Sequence, residues 1–513
     1  MYFYGTMKGY IEIEKYEELQ GKFDLLKFQM EQLQRMLFGT KSERYIPDAS
    51  PEQLSLFGQS AEEQQAAKTE VDAHERNKSK VKKKPVRLAL PTHLERKETV
   101  LLPDVDLEEF VQIGEQRTET LVYIPIELYV KVVVRPKFAP KAPNKEATTS
   151  QIHQAPVPSR FIDRCQADEL LLAAICVDKF VDHLPLYRII GRFERLKVTI
   201  PRSTMGGWIA QSADKLLPLY NKLVELVLAS DYLQVDETRI EVQTNAPPIR
   251  KGKKRKKGKT HRGFYWGYMA IQEKLIFFEY DKTRAADNPL KRLKDFEGTL
   301  QTDCYDVYDQ IRKVYSDLTH YHCLNHARRE FEKALSNDKK RADLALKEFQ
   351  LLYEIEEEAR EKGWSAEKIQ LNRQKNAKPV LDRLFKWMEE ESPKTLPKSP
   401  IGKAMGYMLK RKQRMIHYLT DGKLLIDTNP IENAIRPIAV GRKNYLFAGS
   451  HPAAQRAAIF YSLFACCKFN GVEPLEWLTD VMLRLPEHSI NRIEELLPHK
   501  WSNETKLKNL ENA

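Results

Sequence analysis

Between residues 16 and 37 the apolar side chains recur at steps of three and four: Tyr16, Leu19, Phe23, Leu26, Met30, Leu33 and Leu37. Such a seam predicts a helix that pairs as a coiled coil, or else one that lays its stripe on its own domain. After residue 45 the apolar positions thin out into Glu, Gln, Ala and Lys, and the stretch ends in the basic run Lys78, Lys80, Lys82, Lys83, Lys84 and Arg87. This is the pattern of a flexible linker. Alternation returns over 120–134 and predicts a small β-rich module, closed by a Pro, Ala and Thr-rich joint over 139–158. Helical periodicity then covers 166–177, 186–196 and 203–229, the last with Ser203 as a plausible N-cap. Short basic helices in tandem fit either a DNA-reading helix pair or a helical connector.

From residue 231 the pattern changes to short strands: 232–242, an aromatic-rich 264–271, and 275–280. A helix opened by Asn288 and Pro289 follows, then a fourth strand at 299–302, a helix over 305–313 and a fifth apolar run at 321–324. Three consecutive strands, then helices alternating with strands, is the order of a ribonuclease H-like fold. The expected class is therefore multidomain α/β. Its parts are a coiled-coil helix (1–45), a linker (46–87), a β-rich module (88–158), a helical block (159–230), a catalytic domain (231–326 and 420–470) broken by a helical insertion (327–419), and a C-terminal segment (471–513).

At 513 residues the chain is too long for one domain. Lys+Arg minus Asp+Glu is 84 − 72 = +12, which points to a polyanionic partner. No stretch approaches the roughly 18 apolar residues of a membrane span. The first ten residues have no signal-peptide pattern, and six cysteines without a CxxC pair fit a reducing cytoplasm.

Asp236 lies inside the first strand, where Leu233 and Val235 point to one face and Gln234 and Asp236 to the other. Asp303 ends the fourth strand, which in a ribonuclease H-like sheet lies beside the first. Two adjacent carboxylates repel unless a cation sits between them, and phosphodiester cleavage by two Mg²⁺ ions needs such a cluster. Glu432 is the expected third member, in the first turn of a helix with Asn429 as cap and Pro430 in first position. A Glu three residues after an Asn cap also fits a capping box, and Asp427 is the alternative third ligand. The run Arg250, Lys251, Lys253, Lys254, Arg255, Lys256, Lys257, Lys259 and Arg262 suits phosphate contact, or else a solvated loop, and Arg436, Arg442 and Lys443 after Glu432 suit phosphate contact too; Lys398, Lys410 and Arg411 are weaker candidates.

The strings Val235-Asp236-Glu237-Thr238, Leu300-Gln301-Thr302-Asp303-Cys304-Tyr305 and Asp427-Thr428-Asn429-Pro430-Ile431-Glu432, with Gly441-Arg442-Lys443-Asn444-Tyr445-Leu446-Phe447-Ala448-Gly449-Ser450, resemble transposases of the insertion sequence 66 family. So do Phe38-Gly39-Thr40-Lys41-Ser42-Glu43-Arg44, Asp182-His183-Leu184-Pro185-Leu186-Tyr187-Arg188, Cys323-Leu324-Asn325-His326-Ala327-Arg328-Arg329 and Leu496-Leu497-Pro498-His499. The resemblance implies a DDE-type enzyme with Asp236, Asp303 and Glu432 as its acidic triad, two Mg²⁺ ions with Mn²⁺ able to substitute, and DNA as partner, both transposon ends and target. It also implies a homo-oligomer and accessory proteins of the same element. Cys304 stands where the family has Gly, and Asn433 where it has Arg. The family's zinc module has two cysteine pairs; residues 101–140 have no cysteine, so no zinc is expected there. Cys323 and His326, with His320 and His322 nearby, allow a zinc reading or a place in the core.

If the seam at 16–37 pairs chains, Leu26→Lys with Leu33→Lys lowers the mass seen by light scattering. An unchanged mass returns the seam to an intramolecular role.

Overall fold

In the computed structural model the described residues are 90, 92, 94–103, 108, 110–124, 127–140, 152–244, 260–315 and 318–501. The 16–37 seam, the 46–87 linker and Lys253, Lys254, Arg255, Lys256 and Lys257 lie outside them.

The β-rich module consists of β1 (Arg96–Val100), β2 (Phe110–Ile124), β3 (Glu127–Pro140) and β4 (His153–Gln154). Its order is β1-β3-β2, with β4 on β3. Val130, Val132 and Val134 are buried while Lys131 between them is exposed, the period-2 pattern of a sheet with one covered face. The cover is helical: α1 (Glu169–Phe180), α2 (Leu186–Arg195) and α3 (Arg202–Leu228). The Leu121 carbonyl accepts from Asp168 N at 3.0 Å, and one hydrophobic core runs from β3 through α1 and α3 into the strands beyond. Ser203 is not the cap of α3: the helix starts a residue earlier, behind Pro201, whose extended backbone supplies the entry without a side-chain bond.

The second sheet contains β5 (Tyr232–Gln243), β6 (Thr260–Ala270), β7 (Leu275–Asp281), β8 (Thr299–Thr302) and β9 (Thr319–His322), with α4 (Asp287–Arg292) and α5 (Asp306–Val314) in the connections. Its order is β7-β6-β5-β8-β9; the first three strands are antiparallel, and β8 and β9 continue in parallel from β5. A helical region follows, with α6 (Leu324–Ala334), α7 (Lys339–Glu361), α8 (Ala366–Asn372), α9 (Lys378–Glu391), α10 (Pro400–Leu409) and α11 (Lys412–Met415). It builds a second core around Phe331, Phe349, Leu381 and Met405. The chain returns as α12 (Asn429–Tyr445), α13 (His451–Asn470) and α14 (Pro474–Arg484). Helix α13 closes the β7 edge, because Ser462 Oγ accepts from Phe278 N at 2.7 Å and Cys466 Sγ from Ile276 N at 3.3 Å. These side chains satisfy donors that an open edge would expose.

One buried side chain seats α12 on the sheet. Gln234 Nε2 donates to Gln301 Oε1 (2.7 Å) and to the Asp427 carbonyl (2.9 Å), while its Oε1 accepts from Ile431 N (3.4 Å), an amide in the first turn that has no partner within the helix. Tyr232 Oη donates to Gln301 Oε1 at 2.6 Å, and Gln301 Nε2 donates to the Leu425 carbonyl at 3.0 Å. Replacing Gln234 by Leu leaves the Ile431 amide and the Asp427 carbonyl buried without this partner. Chemical denaturation is expected to register a loss of about 1–3 kcal/mol, and an unchanged midpoint would count against the relay.

Candidate active site

The β5–β8 register pairs Gln234 with Gln301; carried on two residues, it sets Asp236, inside β5, level with Asp303, just past the end of β8. Across the other edge Asp236 pairs with Gly267 on β6. A Cβ at Gly267 would meet Phe278 at 2.8 Å, so a glycine there makes room for the Phe278 ring beside Asp236, with Ile431 Cδ1 of α12 at an ordinary 3.5 Å. Glu432 is in the first turn of α12, as expected, but the cap differs. Thr428 holds the N-cap position, and Asn429 is already helical. The Asn429 side chain instead donates to Asp427 Oδ2 (2.6 Å) and accepts from Asn325 (2.8 Å). The Glu432 carboxylate does not turn back to close a capping box. It faces Arg329, with Nη2 2.6 Å from Oε2 and Nη1 3.3 Å from Oε1, and His326, with Nε2 3.8 Å from Oε1.

The electrostatics separate these acids by role. Asp236 is half-buried, and burial first, then the charges of Glu237, Asp303 and Glu432, push its carboxyl well above the ordinary range. Its Oδ1 accepts only the neighbouring Glu237 N–H, at 2.8 Å. Neighbouring Glu237 is also raised by burial, but Tyr308 Oη donates to it at 2.7 Å and Arg284 Nε at 2.7 Å. Arg284 in turn lies 3.7 Å over the Tyr305 ring. Asp303 is raised by burial and by Glu432, against the backbone N–H of Tyr305 at 2.9 Å and the charge of Arg284. Asp427, the alternative third ligand, is held by Tyr353 Oη at 3.0 Å and by Asn429. Hard carboxylate oxygens on Asp236, Asp303 and Glu432 suit Mg²⁺ by donor chemistry. Among the described residues, however, no three His, Cys, Asp or Glu side chains stand ready to hold a metal ion. Glu432 is instead engaged by Arg329.

The remaining sequence candidates scatter. Arg436 and Lys443 are exposed on α12. Arg442 is engaged, donating Nη1 to Thr238 Oγ1 at 3.1 Å and to the Arg239 carbonyl, so it ties α12 to β5. Cys323 belongs to the core: its Sγ accepts from Thr428 N at 3.3 Å. Cys304 is half-buried, with its thiol pushed up to about 12 by burial.

Two features escaped sequence reading. Arg329 lies one helical turn from His326 on α6, and only that spacing in the 323–329 string signals a shared face. The second is a basic groove of about 810 Å³ lined by His320, Lys410, Arg411, Lys412, Arg414 and His417. It opens beside Asp303, since Arg411 Nη2 lies 3.4 Å from the Cys304 carbonyl and His322 Nδ1 3.2 Å from the Asp303 carbonyl. Of its cations only Lys410 and Arg411 had been singled out from sequence.

A family model described as Transposase IS66 family matches residues 164–456. The chain belongs to that family. Two further models match beside it, one described as Transposase C of IS166 homeodomain over residues 25–99 and one as the IS66 C-terminal element over 462–499. Similar relatives from Sinorhizobium fredii (strain NBRC 101917 / NGR234) include uncharacterized protein y4hP, 30% identical over 507 residues (93% of this chain, 88% of the relative), and uncharacterized protein y4qI, 32% identical over 489 residues (91% and 87%). Membership in an IS66 transposase family points to DNA processing and DNA binding, and it unites 236, 303 and 432 in one matched segment.

The raised carboxyls set a pH dependence. A folded state that binds these protons more tightly than the unfolded chain is most stable below the ordinary carboxyl range, and it loses that contribution as pH rises through the raised values. In chelator, Asp236→Asn should therefore gain stability relative to the parent as pH rises above the ordinary carboxyl range. Parallel melting curves would mean that Asp236 carries no such burden.

Proposed function

We propose that the protein cuts DNA at the ends of its mobile element and joins the freed 3′-hydroxyls to target DNA, with Asp236, Asp303 and Glu432 on a ribonuclease H-like core. The observation that carries this reading is Asp236: an acid raised by three neighbouring carboxylates, facing no Lys or Arg partner among the described residues, while adjacent Glu237 is neutralised by Arg284. Such a group awaits a cation from outside the chain. The sheet order supports the core assignment. In chain order its strands run 3-2-1-4-5, with the first three antiparallel and the last two parallel to the first.

On this reading Asp236, Asp303 and Glu432 would hold the metal, Glu432 once released from Arg329. Two bound Mg²⁺ ions, or Mn²⁺ in their place, would activate the attacking oxygen and stabilise the leaving one. The protein's own residues position the DNA. Arg284 and Tyr308 hold Glu237 by hydrogen bonds. Lys410, Arg411, Lys412 and Arg414 offer phosphate contacts along a path to Asp303, joined by Arg436, Lys443 and the 253–257 run. In cleavage a water oxygen bonds to phosphorus as the bond to the 3′-oxygen breaks; in transfer that 3′-hydroxyl oxygen bonds to a target phosphorus as the bond from it to the target's own 3′-oxygen breaks, that oxygen leaving as a 3′-hydroxyl, so no enzyme-bound intermediate forms. The protein works in the cytoplasm as a homo-oligomer that brings two ends together, with accessory proteins of the same element.

The test is incubation of the full chain with labelled element ends and Mg²⁺. Glu432→Gln, Asp303→Asn and Asp236→Asn should each abolish nicked and strand-transferred products while leaving DNA binding intact. Parental cleavage by Glu432→Gln would remove Glu432 from the site and shift the search to Asp427.

A further inference from the structure

A second site lies at the other end of α12. From Glu432 to Tyr445 the helix covers about 20 Å, and at its C-terminus a cavity of about 530 Å³ opens between α1, α3, β5 and the 444–449 turn. Its walls are aromatic, with Phe180, Tyr265, Tyr445 and Tyr461, and no Asp or Glu lines it among the described residues. Three cations do. Arg456 is matched by Asp214, at 2.9 and 3.3 Å. Among the described residues Lys179 and Arg202 have no such carboxylate within ion-pair distance. Lys179 Nζ sits 4.5 Å over the Tyr445 ring, and burial, then the charge of Arg202, pulls its ammonium down to about 8. Two cations facing aromatic walls without a counter-charge describe a ligand that brings both an anion and a flat ring.

The mouth is built at a conformational cost. Tyr187 is 62% exposed and Leu446 64% exposed. Leu446 has φ +62° and ψ −39°, the centre of a γ-turn closed by Phe447 N donating to the Tyr445 carbonyl at 2.7 Å. A turn of this hand is rare and strained for a branched residue. The next residues pair with β5 (Gln243 N to the Ala448 carbonyl and Ala448 N to the Glu241 carbonyl, both 2.8 Å), so the turn is held firmly with its leucine pointed out. Exposed apolar side chains on a rigid edge are what separates stacked bases.

We propose that this cavity binds one unpaired nucleotide, its base among the aromatic walls and its phosphate on Lys179 and Arg202, with Leu446 at the entrance. This inference rests on the DNA reading for the source of the nucleotide, which is an end or distortion of the bound duplex; a free mononucleotide has the same chemistry, so both are tested. The full chain is titrated with a paired duplex, with the same duplex carrying one bulged 2-aminopurine, and with radiolabelled dAMP. The parent should prefer the bulged duplex by about tenfold, with the fluorescence quenched by stacking. Lys179→Met with Arg202→Gln should erase that preference while leaving paired-duplex binding and melting temperature unchanged; both positions tolerate loss of charge, one buried and one exposed. Leu446→Gly should melt higher, because glycine removes the positive-φ strain, yet prefer the bulge less. A bulge preference that depends on Lys179 and Arg202 supports a DNA-borne nucleotide; dAMP binding with the same dependence and no bulge preference supports a free one. Paired DNA bound normally with neither effect, or effects that survive both variants, overturns the cavity proposal and leaves the cleavage reading standing. Loss of all DNA binding by the parent would instead sink the DNA reading.

Discussion

The arrangement of this protein depends on a single primary amide. Gln234 sits on the covered face of the first strand of the mixed sheet and uses both ends of its side chain, donating to Gln301 and Asp427 and accepting from Ile431. Those partners are 67, 193 and 197 residues away in sequence. An amide is well suited to this position because it is neutral, so it can be buried, and has both a donor and an acceptor. A glutamate of the same shape would present only acceptors to the Asp427 carbonyl. The relay thus seats the start of α12, and with it Glu432, beside the paired strands β5 and β8 that lead to Asp236 and Asp303.

The same region sorts its carboxylates by what each is given. Glu237 receives Arg284 and Tyr308, Asp427 receives Tyr353 and Asn429, and Glu432 receives Arg329. Asp236 receives a backbone N–H alone. Because desolvation and like charge both act against its ionised form, the metal-free fold pays for keeping Asp236 where it is, a cost consistent with retention for binding rather than for stability. The helical region between β9 and α12 contributes here too. It supplies His326, Arg329 and Tyr353 to one side of the site and the basic groove to another, so it is part of the site's electrostatics and more than a spacer.

Much of this was legible along the chain. The strands at 232–242, 275–280 and 299–302 were visible to within a residue or two, because aromatic and β-branched runs bounded by turns report local structure. The positions of Asp236 at mid-strand, Asp303 at a strand end and Glu432 in a first turn were readable for the same reason. What escaped were matters of partnership. Nothing within a few residues of Asn429 says that its side chain will bond Asp427 and Asn325 rather than cap the helix, and nothing near Glu432 announces Arg329, 103 residues earlier. The groove gathers β9 with a turn some ninety residues later, and the second cavity joins segments from Lys179 to Tyr461, so neither leaves a local pattern in charge or hydropathy.

Helix α12 joins these two places physically. Its first turn is held by the Gln234 relay and its last by Tyr445, whose ring fits under Gly441 where a Cβ would collide with it, and whose hydroxyl meets that of Tyr461. Arg442 fastens the middle of the last turn to Thr238 and Arg239 on β5, the strand that carries Asp236. Pro437 lies inside the helix but does not part it from the sheet, because the buried side of α12, Ile431, Ala434, Ile435 and Ile438, is packed on both sides of that residue. A helix pinned at both ends and along its buried face transmits position rather than absorbing it. A nucleotide held at the Leu446 end, as proposed, would therefore be linked to Glu432 through one rigid element, and the clamp between Glu432 and Arg329 is the contact that a shift of α12 would strain.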